Sequence, residues 1–579
     1  MRNILILYDS RYSDIIRNYI SLNPEDIYYG IFVNNNLYKN EDNKIINFLD
    51  ANDYLNFEDL SNIDRESINI AKSWYIKSCY DISTFKGISI GRVVEYDIMK
   101  IICQNLKSFV LLEKIIEKEK IETILISGDN RYFEKSAEII AKNNNITIEN
   151  FCENEYKKTR HINIKSRIKK YISNHSNYIY SISNIGKNDN AEILFVYSKR
   201  SEYLINKLSK HYRISLVVLD HIINPKILIK RNITVIQLKP YNLSENEDEW
   251  IKGLVQNFES YLISSFDKKF IELLLLTDIK SYLKSIFNFY LKYIPTISKQ
   301  LSDKKYNLVI VGQDFLGIPR LIVECANKLN IKTFVLQHGA YGFYPYFVSP
   351  ISKYVGIWGK KWGDWLKKIG VDDSRFIITG EPYYDKYFKI KNKNKNPIKN
   401  ILIPFTNNVT ISSFGEFSKC ELNIIRILNA LSHFDQEINI ILKMRTKNEY
   451  SKGLDLVRKS QANNVKVIGK TNNYKLLSKV DIIVTNGSTI AFEGFLLNKL
   501  VLIENFECVR HKDRNPYSFS NATFEFNSEK ELITLINDII NDKQLVDILS
   551  ENVQKFLEHY FITGNSFECT RKAIHNLVR

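Results

Sequence analysis

The feature that most constrains the fold is a regular alternation of short apolar runs with longer amphipathic stretches. Runs such as NILILY at 3–8, ILFV at 193–196 and LVIV at 308–311 have strand length and are apolar throughout. Unbroken apolar strands are typical of parallel sheets that are covered on both faces. The stretches between them are long enough for helices. The pattern therefore predicts an α/β protein built from successive βαβ units.

A weak internal repeat suggests how these units are grouped. Residues 3–11 read NILILYDSR and residues 192–200 read EILFVYSKR, and a second similarity links 122–146 with 307–331. Any two βαβ units look alike to this degree, so the repeat has two explanations. It reflects either this generic likeness or two related Rossmann-like units. We expect one unit at 1–155 and the other at 191–348.

Basic segments mark the expected boundaries. Residues 156–188 contain eight Lys or Arg residues and no acidic residue, and residues 386–399 form a second basic run. We expect a linker at 156–190, a further α/β domain at 349–560, and a C-terminal helix within 561–579 that packs back on the preceding domain. The basic segments are either solvated connectors or a patch that binds anionic lipid. Each basic residue near an anionic membrane surface contributes about 1 kcal/mol to binding.

Composition narrows the function classes. The 579 residues are 44% hydrophobic and 25% charged, with a formal net charge of +16. These fractions are typical of a globular protein. The positive charge would favour binding to nucleic acid, an anionic membrane face or phosphorylated substrates. The chain has no RRM-like or helix-turn-helix signature, so specific nucleic-acid binding is disfavoured.

The cysteine pattern and the first residues bear on the compartment. Seven cysteines are far apart and include no CxxC pair, which argues against structural zinc and favours a reducing compartment. The opening MRNILILYDS has too short an apolar run for a signal peptide. We therefore expect a cytoplasmic protein that is peripheral on the inner face of the membrane.

One candidate site follows the apolar run at 334–336, in the stretch FVLQHGAYGFYP. A histidine beside a glycine at a strand end is either part of a structural turn or a group placed at the mouth of a cleft. His338 is thus the first candidate for chemistry. His511 is the next histidine, and we expect it to be exposed.

A second candidate site lies in VDIIVTNGSTIAFEGFLLNKLVLIEN at 480–505. It predicts a strand at 482–484, a tight turn at Asn486, Gly487, Ser488 and Thr489, a helix at 490–497 and a strand at 500–503. The free N–H groups at a helix start suit a phosphate, and Glu493 lies on the same helical face as Thr489. A structural N-cap explains the Ser and Thr equally well.

These stretches resemble a known enzyme superfamily over roughly residues 300–505, and more loosely over 191–579. The NGSTIAFEGFLLNKLVLI segment is similar to the donor-binding segment of GT-B glycosyltransferases and of UDP-N-acetylglucosamine 2-epimerases. FVLQHG followed by IITGEPYYD resembles bacterial surface-polysaccharide transferases, namely the CDP-glycerol glycerophosphotransferases and the Kdo- and sialic-acid-type capsule transferases. The resemblance implies a GT-B-like pair of Rossmann-type domains, here with an additional N-terminal Rossmann-like domain.

The resemblance also implies roles for individual residues. Ser488 and Thr489 would meet the donor phosphates together with Asn486 and Gly487, Glu493 would meet the ribose, and Gln337 and Gly339 would line the donor site. His338 would take the proton from an acceptor hydroxyl. If His338 instead binds phosphate, Asp314 and Glu381 are the alternative bases.

One departure from the superfamily concerns the donor phosphates. Many members have His-Pro after the strand that corresponds to INIILKMR, whereas this chain has Lys443, Met444, Arg445 and Thr446. Arg445 offers a permanent charge and a bidentate fork in place of the histidine, with Lys443 beside it. No Asp-x-Asp, GxGxxG or P-loop pattern accompanies the site, so we expect no metal and no cofactor.

Four functions stay open at this point. The first is transfer of a sugar from a CMP-, CDP- or UDP-linked donor to a surface glycan or a lipid-linked acceptor. The second is a CDP-glycerol-type glycerophosphotransferase, and the third is a sugar-nucleotide 2-epimerase. A basic scaffold or nucleic-acid-binding protein is the non-enzymatic alternative. Stabilisation by CMP, CDP or UDP distinguishes the enzymes from the scaffold.

Overall fold

A computed structural model gives the architecture. It describes residues 2–8, 12–32, 45–49, 53–126, 131–150, 192–219, 232–266, 279–315, 317–339, 349–387, 398–405, 420–434, 438–446, 449–486, 488–506, 517, 521–562 and 564–579. Within them lie three large sheets whose strands are all parallel, together with two short antiparallel hairpins. The predicted α/β fold class is thereby confirmed.

The first domain contains a five-stranded sheet in the order β3-β2-β1-β8-β9. The strands are β1 Asn3–Tyr8, β2 Ile27–Phe32, β3 Asn47–Phe48, β8 Thr123–Ile126 and β9 Thr147–Asn150; the hairpin strands are β4 Ile76–Lys77, β5 Tyr80–Asp81, β6 Thr84–Phe85 and β7 Ile88–Ser89. The helices are α1 Ser13–Leu22, α2 Phe57–Ser73, α3 Ile90–Glu119 and α4 Arg131–Asn144.

The middle domain contains a seven-stranded sheet in the order β12-β11-β10-β13-β14-β15-β16. The strands are β10 Ile193–Val196, β11 Ile214–Val217, β12 Ile233–Ile236, β13 Leu308–Val311, β14 Lys332–Leu336, β15 Tyr354–Ile357 and β16 Phe376–Ile378. The helices are α5 Glu202–Leu208, α6 Glu245–Ser265, α7 Ile279–Leu291, α8 Ile294–Asp303, α9 Gly317–Lys328 and α10 Lys360–Lys368.

The third domain contains a six-stranded sheet in the order β19-β18-β17-β20-β21-β22. The strands are β17 Asn400–Pro404, β18 Asn439–Lys443, β19 Val465–Ile468, β20 Ile482–Thr485, β21 Leu500–Glu504 and β22 Phe524–Phe526. The helices are α11 Cys420–Leu431, α12 Tyr450–Lys459, α13 Asn473–Leu477, α14 Thr489–Leu496, α15 Glu529–Asn541 and α16 Lys543–Tyr560, followed by α17 Ser566–Val578 at the end of the chain.

Each sheet follows the Rossmann order, in which the strand order reverses between its first and fourth strands. In open α/β sheets, ligands bind at this switch point, beyond the carboxyl ends of the strands. In the middle sheet the switch point lies between β10 and β13, and in the third sheet between β17 and β20. The topology therefore predicts that ligand-binding residues follow these four strands.

Burial on both faces of the strands accounts for their apolar sequences. Alternate residues of a strand point to opposite faces of the sheet. In the third sheet, Ile401 and Ile403 join a core of their own, whereas Leu402 joins a central core that all three domains share. Ile193 and Leu194 divide in the same way in the middle sheet. The central core holds the three sheets together.

The domain boundary expected at residue 349 is corrected by the strand pairing. β15 pairs with β14, and β16 pairs with β15, so both strands extend the middle sheet. The sheet of the third domain begins only at β17. Nothing in the apolar pattern of a strand states which sheet it joins, so this boundary depends on tertiary pairing. The expected linker at 156–190 lies outside the described residues.

The end of the chain returns to the middle domain. The backbone N–H of Ile562 donates to the carbonyl of Trp358 at 3.0 Å, and α17 then packs on β16. Ile574 and Leu577 of α17 complete the second core of the middle sheet. The predicted C-terminal helix is present, and it covers the middle domain.

Candidate functional site

The loop after β14 is shaped by Gln337, whose side chain is buried. Its Nε2 donates to the carbonyl of Gly339 at 3.0 Å, and its Oε1 accepts from the backbone N–H of Trp358 at 2.8 Å. The amide therefore ties β14 to β15 and closes the turn around His338. Both polar atoms of the Gln337 side chain bond to the backbone and so position the loop, and its role in the donor site stays a prediction.

His338 stands at the tip of this turn with an exposed side chain. Its imidazole has no hydrogen bond to any of the described residues. Surrounding protein atoms lower the pKa of His338 to about 4 by desolvation, and the nearby charge of Arg200 lowers it further. The imidazole is consequently neutral at pH 7 and can accept a proton, as a general base must.

The opposite wall of the cleft is the start of α14. Gly339 has a left-handed φ of +82°, and a Cβ added there would lie 3.2 Å from Oγ1 of Thr489. The two candidate sites of the sequence are thus in contact, although they belong to different sheets. Gly339 is suited to this position because it allows both the positive φ and the close approach.

The start of α14 is open to an anion. Ser488 occupies the N-cap position, yet its side chain accepts no hydrogen bond from the helix N–H groups. A structural N-cap would make that bond. The uncapped N–H groups and the helix dipole instead favour a bound phosphate. Asn486 precedes this turn at the end of β20, and Gly487 lies outside the described residues.

Glu493 follows one turn along α14 and is 9% exposed. Its carboxylate accepts hydrogen bonds from Tyr387 Oη at 3.1 Å, Asn473 Nδ2 at 3.0 Å and, more weakly, Tyr384 Oη at 3.4 Å. Tyr384 and Tyr387 come from the middle domain and Asn473 from the third. Glu493 is thereby held in one orientation at the junction of the two domains.

Lys443 is the last residue of β18, and Arg445 follows it at the same edge of the third sheet. Burial lowers the pKa of Lys443, and the nearby Glu493 and Glu449 oppose this effect. Arg445 is exposed and makes no hydrogen bond or ion pair within the described part of the chain. Of the two basic residues, Lys443 is the one whose charge lies close to Glu493 of α14.

Arg200 was missed in the sequence and lies at the switch point of the middle sheet, just after β10. Its Nη2 donates to Tyr384 Oη at 2.6 Å, and its Nε lies 3.3 Å from Glu381 Oε2. The guanidinium carbon is 5.0 Å from the ring centroid of Trp358. Nε is buried and makes no hydrogen bond to the described atoms, so it interacts with Glu381 through charge alone. The strand-end position in EILFVYSKR was the available signal.

The two alternative bases have different surroundings. Burial raises the pKa of Glu381, and its neighbour Arg200 opposes this effect. Asp314 is 2% exposed, and its Oδ2 accepts from the backbone N–H of Ser352 at 2.7 Å. Asp314 thus holds the β13 loop to the segment before β15. Glu381 thus lies beside Arg200, whereas Asp314 is buried within the middle domain.

The described residues bring no group of three or more His, Cys, Asp or Glu side chains together as metal ligands. None of the helices in that part of the chain is both long and apolar enough to cross a bilayer. His511 lies outside the described residues, as does most of the second basic run.

Comparison with known proteins gives similarity of structure only. No protein-family model matches the chain, and no curated protein sequence is significantly similar to it. UDP-GlcNAc 2-epimerase from Neisseria meningitidis, solved with UDP-GlcNAc bound, is 16% identical with a TM-score of 0.42, over 66% of this chain and 99% of that one. A glycosyltransferase from Rickettsia africae is 13% identical with a TM-score of 0.41, over 67% and 98%.

A third solved structure, MurG from Acinetobacter baumannii, is 13% identical with a TM-score of 0.39, over 66% of this chain and 99% of that one. Identities and TM-scores of this size do not bear on activity. The GT-B-like arrangement therefore rests on the topology of this chain. The middle and third domains are both of Rossmann type and meet at their carboxyl edges, and the final helix returns to the middle domain.

Proposed function

We propose that this chain is a GT-B-type glycosyltransferase that moves a sugar from a CMP-, CDP- or UDP-linked donor to a hydroxyl of a surface glycan or lipid-linked acceptor. The observation that carries the proposal is the approach of the His338–Gly339 turn to the uncapped start of α14. A neutral imidazole then faces an anion site across one cleft. A sugar transferase needs both groups in one cleft, because a base must take the proton of the acceptor while an anion site holds the departing phosphate.

The donor would be held mainly by the third domain. Its phosphates would lie at Ser488 and Thr489, with Lys443 supplying positive charge and Arg445 reaching in from the rim. Glu493 would accept hydrogen bonds from the ribose hydroxyls, replacing its weak contact with Tyr384. Arg200 would contribute its positive charge from the middle domain. Closure of the two domains around the donor would bring these groups together.

The reaction would need no further reagent. The imidazole of His338 takes the proton of the acceptor hydroxyl as that oxygen bonds to the anomeric carbon of the donor sugar. The bond from that carbon to the nucleotide phosphate breaks, and the phosphate leaves with the electron pair. Arg200, Lys443 and the helix start stabilise the added negative charge. The products are the glycosylated acceptor and the free nucleotide.

A nucleotide titration tests this proposal. Saturation with the correct nucleotide at about 100 times its dissociation constant should stabilise the protein by about 2.7 kcal/mol, seen as a raised melting temperature with UDP, CDP or CMP. Lys443→Gln should reduce the shift, and Arg445→Ala should reduce it more than Arg445→Lys. Lys466→Gln, an exposed lysine on the neighbouring β19, is the matched control. A parent protein that none of the three nucleotides stabilises would contradict the proposal and favour the scaffold.

Metal independence is part of the proposal. Because helix N–H groups and basic side chains are assigned to the phosphates, turnover should persist in EDTA. A loss of turnover that Mg²⁺ or Mn²⁺ restores would show that a metal ion holds the donor instead.

Peripheral association with the inner face of the membrane is proposed from the basic segments alone. Binding to anionic vesicles should then weaken as salt rises.

A further inference from the structure

The first domain is fastened to the loops of the site through Arg320 of α9. This side chain is fully buried. It reaches the first domain through Nη2, which donates to Glu95 Oε2 at 2.7 Å, and through Nε, which donates to the carbonyl of Arg92 at 2.7 Å. Its Nη1 donates to the carbonyls of Asp314 at 2.8 Å and Ser349 at 3.1 Å. One guanidinium thus joins α3 to two segments of the middle domain.

Those two segments border the cleft. β13 lies between β10 and β14 in the middle sheet, and Arg200 and His338 follow these two neighbours. The loop after β13, which contains Asp314, therefore lies between the two at the carboxyl edge of the sheet. The first two turns of α3 pack against it, with the ring of Tyr96 5.8 Å from that of Phe315. The first domain consequently reaches the middle of the site's edge.

Asp97 follows Tyr96 on α3, next to the contact with this loop. Its Oδ2 accepts from Tyr290 Oη at 2.8 Å, and the side chain is partly exposed. Its Oδ1 has no hydrogen-bond partner among the described residues. Burial raises the pKa of Asp97 to about 6, while Tyr290, Lys100 and Arg320 oppose the rise. The group is therefore mostly ionised at pH 7 and keeps one oxygen available.

We propose that α3 of the first domain forms part of the acceptor site, where Asp97 accepts hydrogen bonds from the hydroxyl groups of the acceptor sugar. This rests on the proposed transferase function. Carboxylates bind sugar hydroxyls well, because a charged acceptor makes the stronger hydrogen bonds. Tyr290 and Arg320 fix the position of Asp97 relative to the loop between Arg200 and His338. The first domain is then a substrate-binding part of the enzyme, while the donor stays with the third domain.

The test separates sugar binding from nucleotide binding. A panel of methyl glycosides at millimolar concentration is screened by saturation-transfer-difference NMR, in the presence and absence of the nucleotide that stabilises the protein. Asp97→Asn keeps an oxygen for Tyr290 but removes the charge. It should weaken glycoside binding about 10- to 100-fold, the usual effect of losing one charged hydrogen bond, and leave the nucleotide melting shift unchanged. Glu117→Gln, an exposed carboxylate far along the same helix, is the control and should change neither.

The outcomes have distinct meanings. Absence of glycoside binding in the parent, or equal binding by the parent and Asp97→Asn, would overturn the acceptor-site proposal. Absence of a nucleotide shift in the parent would overturn the transferase proposal instead. A structural role for Asp97 would lower the melting temperature without nucleotide and weaken both ligands together. Tyr290→Phe separates these cases further, because it removes the hydrogen bond that positions Asp97 but keeps the carboxylate; glycoside binding should weaken less than in Asp97→Asn, with the nucleotide shift unchanged.

Discussion

At the scale of single residues, the protonation state of His338 decides what the cleft can do. The imidazole is kept neutral by desolvation and by the positive charge of Arg200. A neutral imidazole accepts a proton, whereas a protonated one could only donate. The same arginine that would bind an anionic donor therefore also prepares the base.

Replacement of His338 by alanine tests its role. Turnover should fall by about 10² to 10⁴, which is the usual contribution of a positioned general base and corresponds to about 3 to 5 kcal/mol of barrier. Folding and nucleotide affinity should change little, because the imidazole makes no hydrogen bond to the described residues. His338→Asn should not restore turnover. A lowered melting temperature with full activity per folded molecule would identify a structural turn instead.

The pH dependence of the reaction follows from the same two residues. In the free enzyme His338 has a pKa of about 4, so kcat/KM should lose activity only as pH falls towards 4. A bound phosphate cancels part of the charge of Arg200, which removes one cause of the lowered pKa of His338. The acid limb of kcat should therefore lie at higher pH than that of kcat/KM. Arg200→Met should move the acid limb of kcat/KM to higher pH as well. If the limb stays at the same pH in this variant, it reports the titration of another group.

At the scale of elements, the return of the chain after α16 joins the middle and third domains. Gly359 lies under this crossing, and the indole Nε1 of Trp362 donates to the carbonyl of Tyr560 at 2.8 Å. An added Cβ at Gly359 would lie 2.3 Å from the backbone carbon of Tyr560 and 2.6 Å from the nitrogen of Phe561. Backbone atoms cannot move away as a flexible side chain can, so the crossing depends on this glycine.

Gly359→Ala should therefore reduce the free energy of unfolding by about 1 to 3 kcal/mol, the usual cost of overpacking. The matched control is Gly253→Ala in the middle of α6, where no atom lies within 4 Å of the added Cβ. That change should stabilise the protein by about 0.5 to 1 kcal/mol, because alanine favours a helix. Urea unfolding of both variants measures the contrast. Equal free energies of unfolding for the two variants would mean that the backbone at the crossing moves to accommodate the methyl group.

At the scale of the whole molecule, the first and middle domains behave as one packed unit. Trp74 of the first domain packs against Phe258 and Phe287 of the middle domain, at centroid distances of 5.4 and 5.8 Å. The same two domains are joined by the buried ion pair of Arg320 and Glu95, at 2.7 Å. Glu95 also accepts from Tyr75 Oη at 2.6 Å, so the pair is fully hydrogen-bonded. A flexible tether would show no such buried polar contact.

Removal of one partner of that pair should be costly. Arg320→Met leaves Glu95 buried without its cation, and the free energy of unfolding should fall by about 3 to 5 kcal/mol. The control is Arg458→Gln, because Arg458 and its partner Asp455 are 74% and 56% exposed. Such an exposed pair is worth about 1 kcal/mol or less. Calorimetric midpoints that fall equally in the two variants would show that the buried pair does not hold the domains together.

The amino-acid sequence by itself determined the class of fold and the two stretches that form the cleft. Four-residue apolar runs must be covered on both faces, and this requirement alone implies parallel sheets between helices. The NGST turn and the Gln-His-Gly turn could be read locally, because strand ends and helix starts are local features. The roles given to individual residues in them stay predictions until they are measured.

Only the tertiary structure decided which of these pieces meet. Arg200 lies beside His338 because the strand order places β10 and β14 on either side of β13, and no local pattern states that order. The boundary expected at residue 349 was wrong for the same reason, since β15 and β16 pair with the middle sheet. The position of Asp97 near the site follows from Arg320, whose partners are distant in sequence. Contacts of this kind depend on how whole domains pack, so they cannot be predicted from the residues that flank each partner in the sequence.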